Sequence, residues 1–106
     1  MANAETKLQH QILEYLKLRN ILSWRNNSGQ LKIKSYIINL SPKGSPDIIG
    51  ILPNGRFLGI EVKMPRESLT PDQNAFCRLL KDNGAAVFVA RSVSDVEREL
   101  NFCMEK

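Results

Sequence analysis

Two apolar runs separated by a turn signal constrain this chain more than any other feature: Asp47 to Leu52 and Arg56 to Lys63, joined by Pro53-Asn54-Gly55. Asn-Gly supplies the positive φ angles of a tight turn, so the runs read as antiparallel strands of one hairpin. Thr70-Pro71-Asp72-Gln73 then opens a helix, with Thr70 as N-cap, Pro71 at the first helical position and Gln73 closing a capping box. On that helix Phe76, Leu79 and Leu80 are expected to face inward. Gly84 ends it, and Ala85 to Ala90 is too apolar to be anything but a buried strand. A strand-helix-strand connection from Glu61 to Val87 implies parallel pairing, and with the hairpin this makes a mixed sheet.

The rest of the chain fills in around that unit. From Glu5, apolar residues recur at Leu8, Ile12, Leu13, Tyr15 and Leu16, a helical period running to about Arg19. Ile21 to Arg25 reads as a short strand and Asn26 to Gly29 as a turn, with a possible further strand through Tyr36-Ile37-Ile38. Ser92 or Ser94 can cap a last helix through Met104. The order is α-β-(β)-β-β-α-β-α, an α/β class with a mixed central sheet flanked by helices. At 106 residues the chain is expected to form one domain, residues 1–106, with a modest core.

Charge on apolar strands needs a physical reason. Asp47 is the lone acid of its run, and Glu61 and Lys63, two apart, leave the same face of theirs. Burying an isolated carboxylate costs several kcal/mol unless it is paired, hydrogen-bonded or bound to a metal. Hairpin pairing could bring both acids within reach of one hard divalent cation. Mg²⁺ takes one or two protein carboxylates and keeps water and substrate phosphate for the remaining positions, and Asp47, Glu61 and the Val62 carbonyl supply such a set, with Mn²⁺ as a possible substitute. Lys63 beside it can orient a water and counter charge building on a phosphorus centre.

Glu5 lies on the apolar stripe of the first helix, which points it toward whatever that helix covers; an exposed first-turn acid favoured by the helix dipole is the competing reading. Gln9 shares the ambiguity. Arg25, Lys32, Lys34 and Lys43, with Trp24 and Tyr36 among them, suit phosphate positioning and base stacking, or else a solvated edge whose lysines discourage aggregation. A net charge of +4 favours a polyanionic partner only weakly.

Other chemistries find no support. The lone histidine, His10, sits opposite the Glu5 stripe, which argues against two-histidine metal chemistry and a histidine base. No Gly-x-Ser-x-Gly elbow accompanies Ser45. Cys77 and Cys103 lack zinc or redox spacing and read as buried thiols. No apolar run approaches the ~20 residues of a membrane span, and the polar start lacks a signal peptide's apolar segment, so an intracellular location, cytoplasm or nucleoid, is expected.

Pro46-Asp47 followed by Glu61-Val62-Lys63 resembles the catalytic signature of PD-(D/E)xK nucleases. With Glu5 and Gln9, the Arg25-Asn26 turn, Gly44-Ser45, Gly59-Ile60 and the Gln73 helix, the chain is similar to their VRR-NUC branch over nearly its whole length. The resemblance implies a restriction-endonuclease-like core, Asp47 and Glu61 as metal ligands, Lys63 as catalytic lysine, Glu5 as an auxiliary acid reaching the ion directly or through water, and Gln73 as an auxiliary polar group. Gln73 is also the capping residue, and one side chain is expected to serve only one of these roles well. Stand-alone members of the branch resemble dimeric cutters of branched DNA such as four-way junctions, which implies a homodimer on DNA. Its interface is not located by sequence, although Tyr36-Ile37-Ile38 or an exposed face of the first helix could provide it. A non-catalytic nucleic-acid-binding module, which the intact Asp47, Glu61 and Lys63 disfavour, and a defence nuclease of the same chemistry are the competing functions.

Overall fold

The computed structural model describes residues 3–26 and 29–104. Helix α1 (Ala4–Leu18) leads into β1 (Leu22–Arg25), β2 (Gln30–Ile33) and β3 (Tyr36–Asn39). These are followed by β4 (Ile48–Ile51), β5 (Phe57–Val62), α2 (Pro71–Asp82), β6 (Ala86–Ala90) and α3 (Val93–Met104). Asn27 and Ser28, half of the expected turn after β1, lie outside the described residues. Asn3 caps α1, its Oδ1 accepting from the Thr6 N–H at 2.8 Å, so the helix begins one residue before Glu5. Among the described residues no helix is long and apolar enough to cross a membrane.

The main sheet has the order β1-β4-β5-β6, antiparallel except for the parallel β5/β6 pair that the intervening helix requires. The basic stretch before Asp47 holds one strand more than expected. Lys32-Ile33 and Tyr36-Ile37 pair with each other as a separate hairpin, turning at Lys34, whose φ is +55°. In the β4–β5 turn Gly55 alone of the Asn-Gly pair takes a positive φ, +88°, while the Asn54 side chain accepts from the Arg56 N–H at 3.0 Å.

Period-two alternation divides the sheet's side chains between two layers. Ile48, Leu58, Ile60 and Phe88 point to one side, where Ile12 and Leu16 of α1 and Val96 and Leu100 of α3 close over them. Each such buried side chain contributes about 1.5–3 kcal/mol. On the other side α2 covers only β5 and β6, packing Cys77 and Leu80 on Phe57 and Val87. The β1–β4 half of that face stays open, with Leu22, Trp24 and Ile51 exposed. A helix laid over two strands shields only a narrow stripe, here Cys77, which is buried, and Gln73, Phe76 and Leu80, which are half-buried. Leu79, two residues and some 200° round from Cys77, is therefore 57% exposed and does not face inward as its neighbours suggested. Cys103 is likewise half-buried at the core margin rather than enclosed, whereas Cys77 is buried.

Candidate active site

Asp47 stands at the residue before β4, where the chain leaves a loop pressed against the start of α2. Gly44 permits that approach. Its φ of +86° is left-handed, and a Cβ there would run into the Asp72 carbonyl. A second close approach sets the neighbouring strand: a Cβ at Gly59 would lie 2.8 Å from Pro46 Cγ, so the proline ring rests on bare backbone of β5. Asn26 holds the same segment from β1's end, donating from Nδ2 to Ser45 Oγ and to the Pro46 carbonyl, both at 2.9 Å. Its N–H donates to the Asp47 carbonyl at 2.7 Å. The sequence signalled Asn26 only as a turn residue.

Asp47 Oδ2 accepts from the Val62 N–H at 2.8 Å. Along a strand the N–H and C=O of one residue point to the same neighbour, so the Val62 carbonyl also lies on the Asp47 side, beyond the end of the β4 ladder. Glu61, 1% exposed, projects from β5 beneath α2 into the cleft that it lines with Asp47. Burial first, and then the Asp47 carboxyl beside it, push the Glu61 carboxyl up to about 9, with the Lys63 ammonium pulling the other way. Lys63 is buried, on the face it shares with Glu61, and its N–H extends the β5/β6 ladder to the Ala90 carbonyl at 3.1 Å.

Gln73 performs both roles that were expected to compete. Its Oε1 accepts from the Thr70 N–H at 2.9 Å, completing the capping box, while its Nε2 donates to Glu61 Oε1 at 3.2 Å. A carboxamide has a separate acceptor and donor, and the stripe that buries α2 aims the donor at β5. Glu61 Oε2 is thereby left buried with no protein partner.

Glu5 is half-buried at the first turn of α1, its carboxyl raised by burial, then by the charges of Asp47 and Glu67, against Lys63. The helix brings it into the field of the central residues. Among the described residues, however, no three His, Cys, Asp or Glu side chains are grouped closely enough to hold a metal ion together. Gln9 is buried one turn on, its Oε1 unpartnered, and His10 is exposed.

The expected phosphate contacts do not converge. Lys43 lines the cleft of about 290 Å³ that holds Asp47, Glu61 and Gln73, and pairs with Asp72 at 3.3 Å. Arg25 is exposed on the α1 side of β1, opposite Trp24, and Lys32 and Lys34 ride the separate hairpin.

The VRR-NUC domain model matches residues 3–94, spanning this site from the start of α1 into the first turn of α3. The chain belongs to the VRR-NUC family. A solved structure described as a VRR_NUC domain has a TM-score of 0.70 with this chain at 25% identity, covering 94% of this chain and 97% of that one. No functionally curated protein matches it. A VRR-NUC domain is a nuclease-type α/β fold, which makes DNA the substrate class and suggests a divalent metal.

The residues present fit such an ion. Two carboxyls lining one cleft, Glu61 buried with an unpartnered oxygen and Asp47 half-buried, form a hard-oxygen donor pair whose mutual repulsion a cation relieves. Mg²⁺ needs no third carboxylate from the protein, so the wider placing of Glu5 is compatible with it.

Proposed function

We propose that the chain is an intracellular, Mg²⁺-dependent endodeoxyribonuclease that hydrolyses phosphodiester bonds in branched DNA, such as four-way junctions, as a homodimer. The observation that carries this reading is the single cleft that Asp47 and Glu61 both line, with Glu61 Oε2 unpartnered and Lys63 on the same face of β5 as Glu61. Asp47, Glu61 and the Val62 carbonyl would hold Mg²⁺, and Mn²⁺ has the same preference for oxygen. When bound, the ion supplies Lewis acidity and positive charge at the scissile phosphate.

The side chains account for the rest. Gln73 fixes one oxygen of Glu61, so the other keeps its direction without loss of rotamer freedom at the moment of reaction. Water attacks phosphorus in line, the bond to the 3′ oxygen breaks, and the products carry a 5′-phosphate and a 3′-hydroxyl. Lys63 sets its ammonium against the charge that builds on the phosphoryl oxygens. Glu5, its proton affinity raised, faces the same space as an auxiliary acid that acts through water. Arg25, Lys32, Lys34 and Lys43 contact phosphates outside the reacting group.

The test is cleavage of labelled four-way junction, flap, duplex and single-stranded DNA, with Mg²⁺ or EDTA, by the wild type and Asp47→Asn. Metal-dependent paired cuts confined to the junction, lost in the variant, are expected. Cutting of every substrate would remove the junction selectivity and keep the chemistry. Binding without cleavage would overturn the enzyme.

A further inference from the structure

Alternation along β4 puts Asp47, Ile49 and Ile51 on the side of the sheet that carries α2, opposite the fully buried Ile48. The β1/β4 register sets Trp24 against Ile49 and Leu22 against Ile51, so both β1 side chains leave by that same side. With α2 resting on β5 and β6, this half of the face is open: Leu22 is 66%, Trp24 47% and Ile51 37% exposed. The Asn26 N–H donating to the Asp47 carbonyl carries the same register one residue past the strand ends. In an antiparallel pair the diagonal neighbour, two residues from the direct partner, lies about 7–8 Å away, within reach of an aromatic side chain. Counted from Ile49, that neighbour of Trp24 is Asp47.

An apolar platform beside a corner of carboxylates matches the two ends of one nucleotide, its base and its phosphate. We propose that the open β1–β4 face seats one nucleobase of the DNA, that of the nucleotide beside the scissile phosphate, drawn out of its helical stack and laid on the Trp24 indole. The proposal rests on the nuclease reading above and makes Trp24 the residue that favours branched or unpaired DNA over duplex.

Three observations select that occupant. Leu22, Trp24, Ile49 and Ile51 carry no charge, so a phosphate finds no partner among them, whereas the flat face of a base needs none. The platform is also of a base's size: four side chains on two strands fall far short of the roughly 800 Å² that each partner contributes to a standard protein interface. Finally, it continues into the reaction site. Asp47 belongs both to this face and to the cleft of about 290 Å³ that holds Glu61 and Gln73, so a phosphate entering the cleft brings its own base over Trp24. The β2–β3 hairpin bares an apolar face too, with Leu31, Ile33, Tyr36 and Ile38 together by register, but that register ties it to neither carboxylate. A base inside a duplex has both faces covered by its neighbours in the stack, and freeing it costs least where the DNA is branched or single-stranded. Stacking on Trp24 therefore rewards those substrates.

Trp24 is the chain's one tryptophan, so its emission reads the contact directly. The wild-type protein in EDTA is titrated with four-way junction, flap, single-stranded and blunt duplex DNA. The first three should quench the emission, and duplex bound to the same extent should not. In a series of junctions each made abasic at one position near the branch, a single position should restore it. With Mg²⁺, Trp24→Ala should lose about fivefold or more in kcat/KM on the junction, and Trp24→Phe, which keeps a stacking face, should retain most of it. Equal quenching by duplex, quenching indifferent to every abasic position, or Trp24→Ala cutting the junction as the wild type does would each overturn the seat. Position-specific quenching by a protein that cuts no DNA would spare the seat and overturn the nuclease, whereas cutting without quenching does the reverse. A changed sedimenting mass of DNA-free Trp24→Ala would give the face to a second copy, overturning the proposal.

Discussion

The corner formed by β4, β5 and α2 and the hairpin formed by β2 and β3 lie a few residues apart in sequence and are built on opposite principles. In the corner the backbone and all but one of the carboxylate contacts are fixed by neighbours, and the remaining Glu61 oxygen is left open. Asp47 is held by Val62 and Asn26, Glu61 by Gln73, and the loop by two glycine contacts. The hairpin is held by one ladder with water on every side. Placing a reacting atom to a fraction of an ångström needs neighbours that leave a side chain no alternative, whereas meeting a large partner needs surface and reach.

That contrast is most sharply tested by removing charge from the corner. Asp47→Asn or Glu61→Gln should lower cleavage by about a hundredfold or more while DNA binding holds or improves, because less negative charge then faces the phosphate. Single-turnover rates beside binding isotherms would check this. Full activity in either would break the site assignment.

Gln73 separates bracing from capping. Gln73→Ala removes both, so a loss of about 1 kcal/mol in stability should accompany a fall of roughly 10–100-fold in kcat. Gln73→Glu keeps an N3 acceptor for the capping box but sets a carboxylate against Glu61, so activity should fall as far with the helix cap intact. Melting curves and rates moving together in both variants would mean that Gln73 only caps.

The metal-free protein should also report the strain in the corner. Folded Glu61 retains a proton up to about 9, whereas the unfolded chain releases it near the ordinary 4.5, so between those values the folded state binds more protons. Stability should therefore fall as pH rises through that window. Mg²⁺ or Glu61→Gln should flatten the slope in thermal melts run at each pH.

The hairpin should behave oppositely. Lys32→Ala should weaken DNA binding across all sequences and reduce its salt dependence by about one ion. Its Tm should stay within the shift of about 0.5 kcal/mol typical of surface substitutions. A large drop in Tm would show that the hairpin is part of the packed body after all.

How far these two regions could be read in advance differs for the same reason. Asp47, Glu61 and Lys63 were legible because a strand's period of two and the apolar flanks turn an isolated charge into a conspicuous exception. The capped helix and the parallel strand after it were legible from Thr70, Pro71 and Gly84, whose backbone preferences act locally. Leu79 was misread because the width of the buried stripe depends on how many strands α2 covers. The double use of Gln73 and the bracing by Asn26 were hidden because each depends on segments 12 to 20 residues apart meeting in space.

Sequence alone thus determined the charged hairpin, the parallel strand that follows α2, the helix boundaries to within about a residue and the charges that interrupt the apolar strands, all of which follow from periodicity and local backbone chemistry. Tertiary structure decided which carboxylate oxygen is left free, which half of the sheet stays open and which face of the small hairpin is apolar. Those outcomes depend on register and on the approach of distant backbones, where a one-residue slip reverses every side chain and a single Cβ closes the gap.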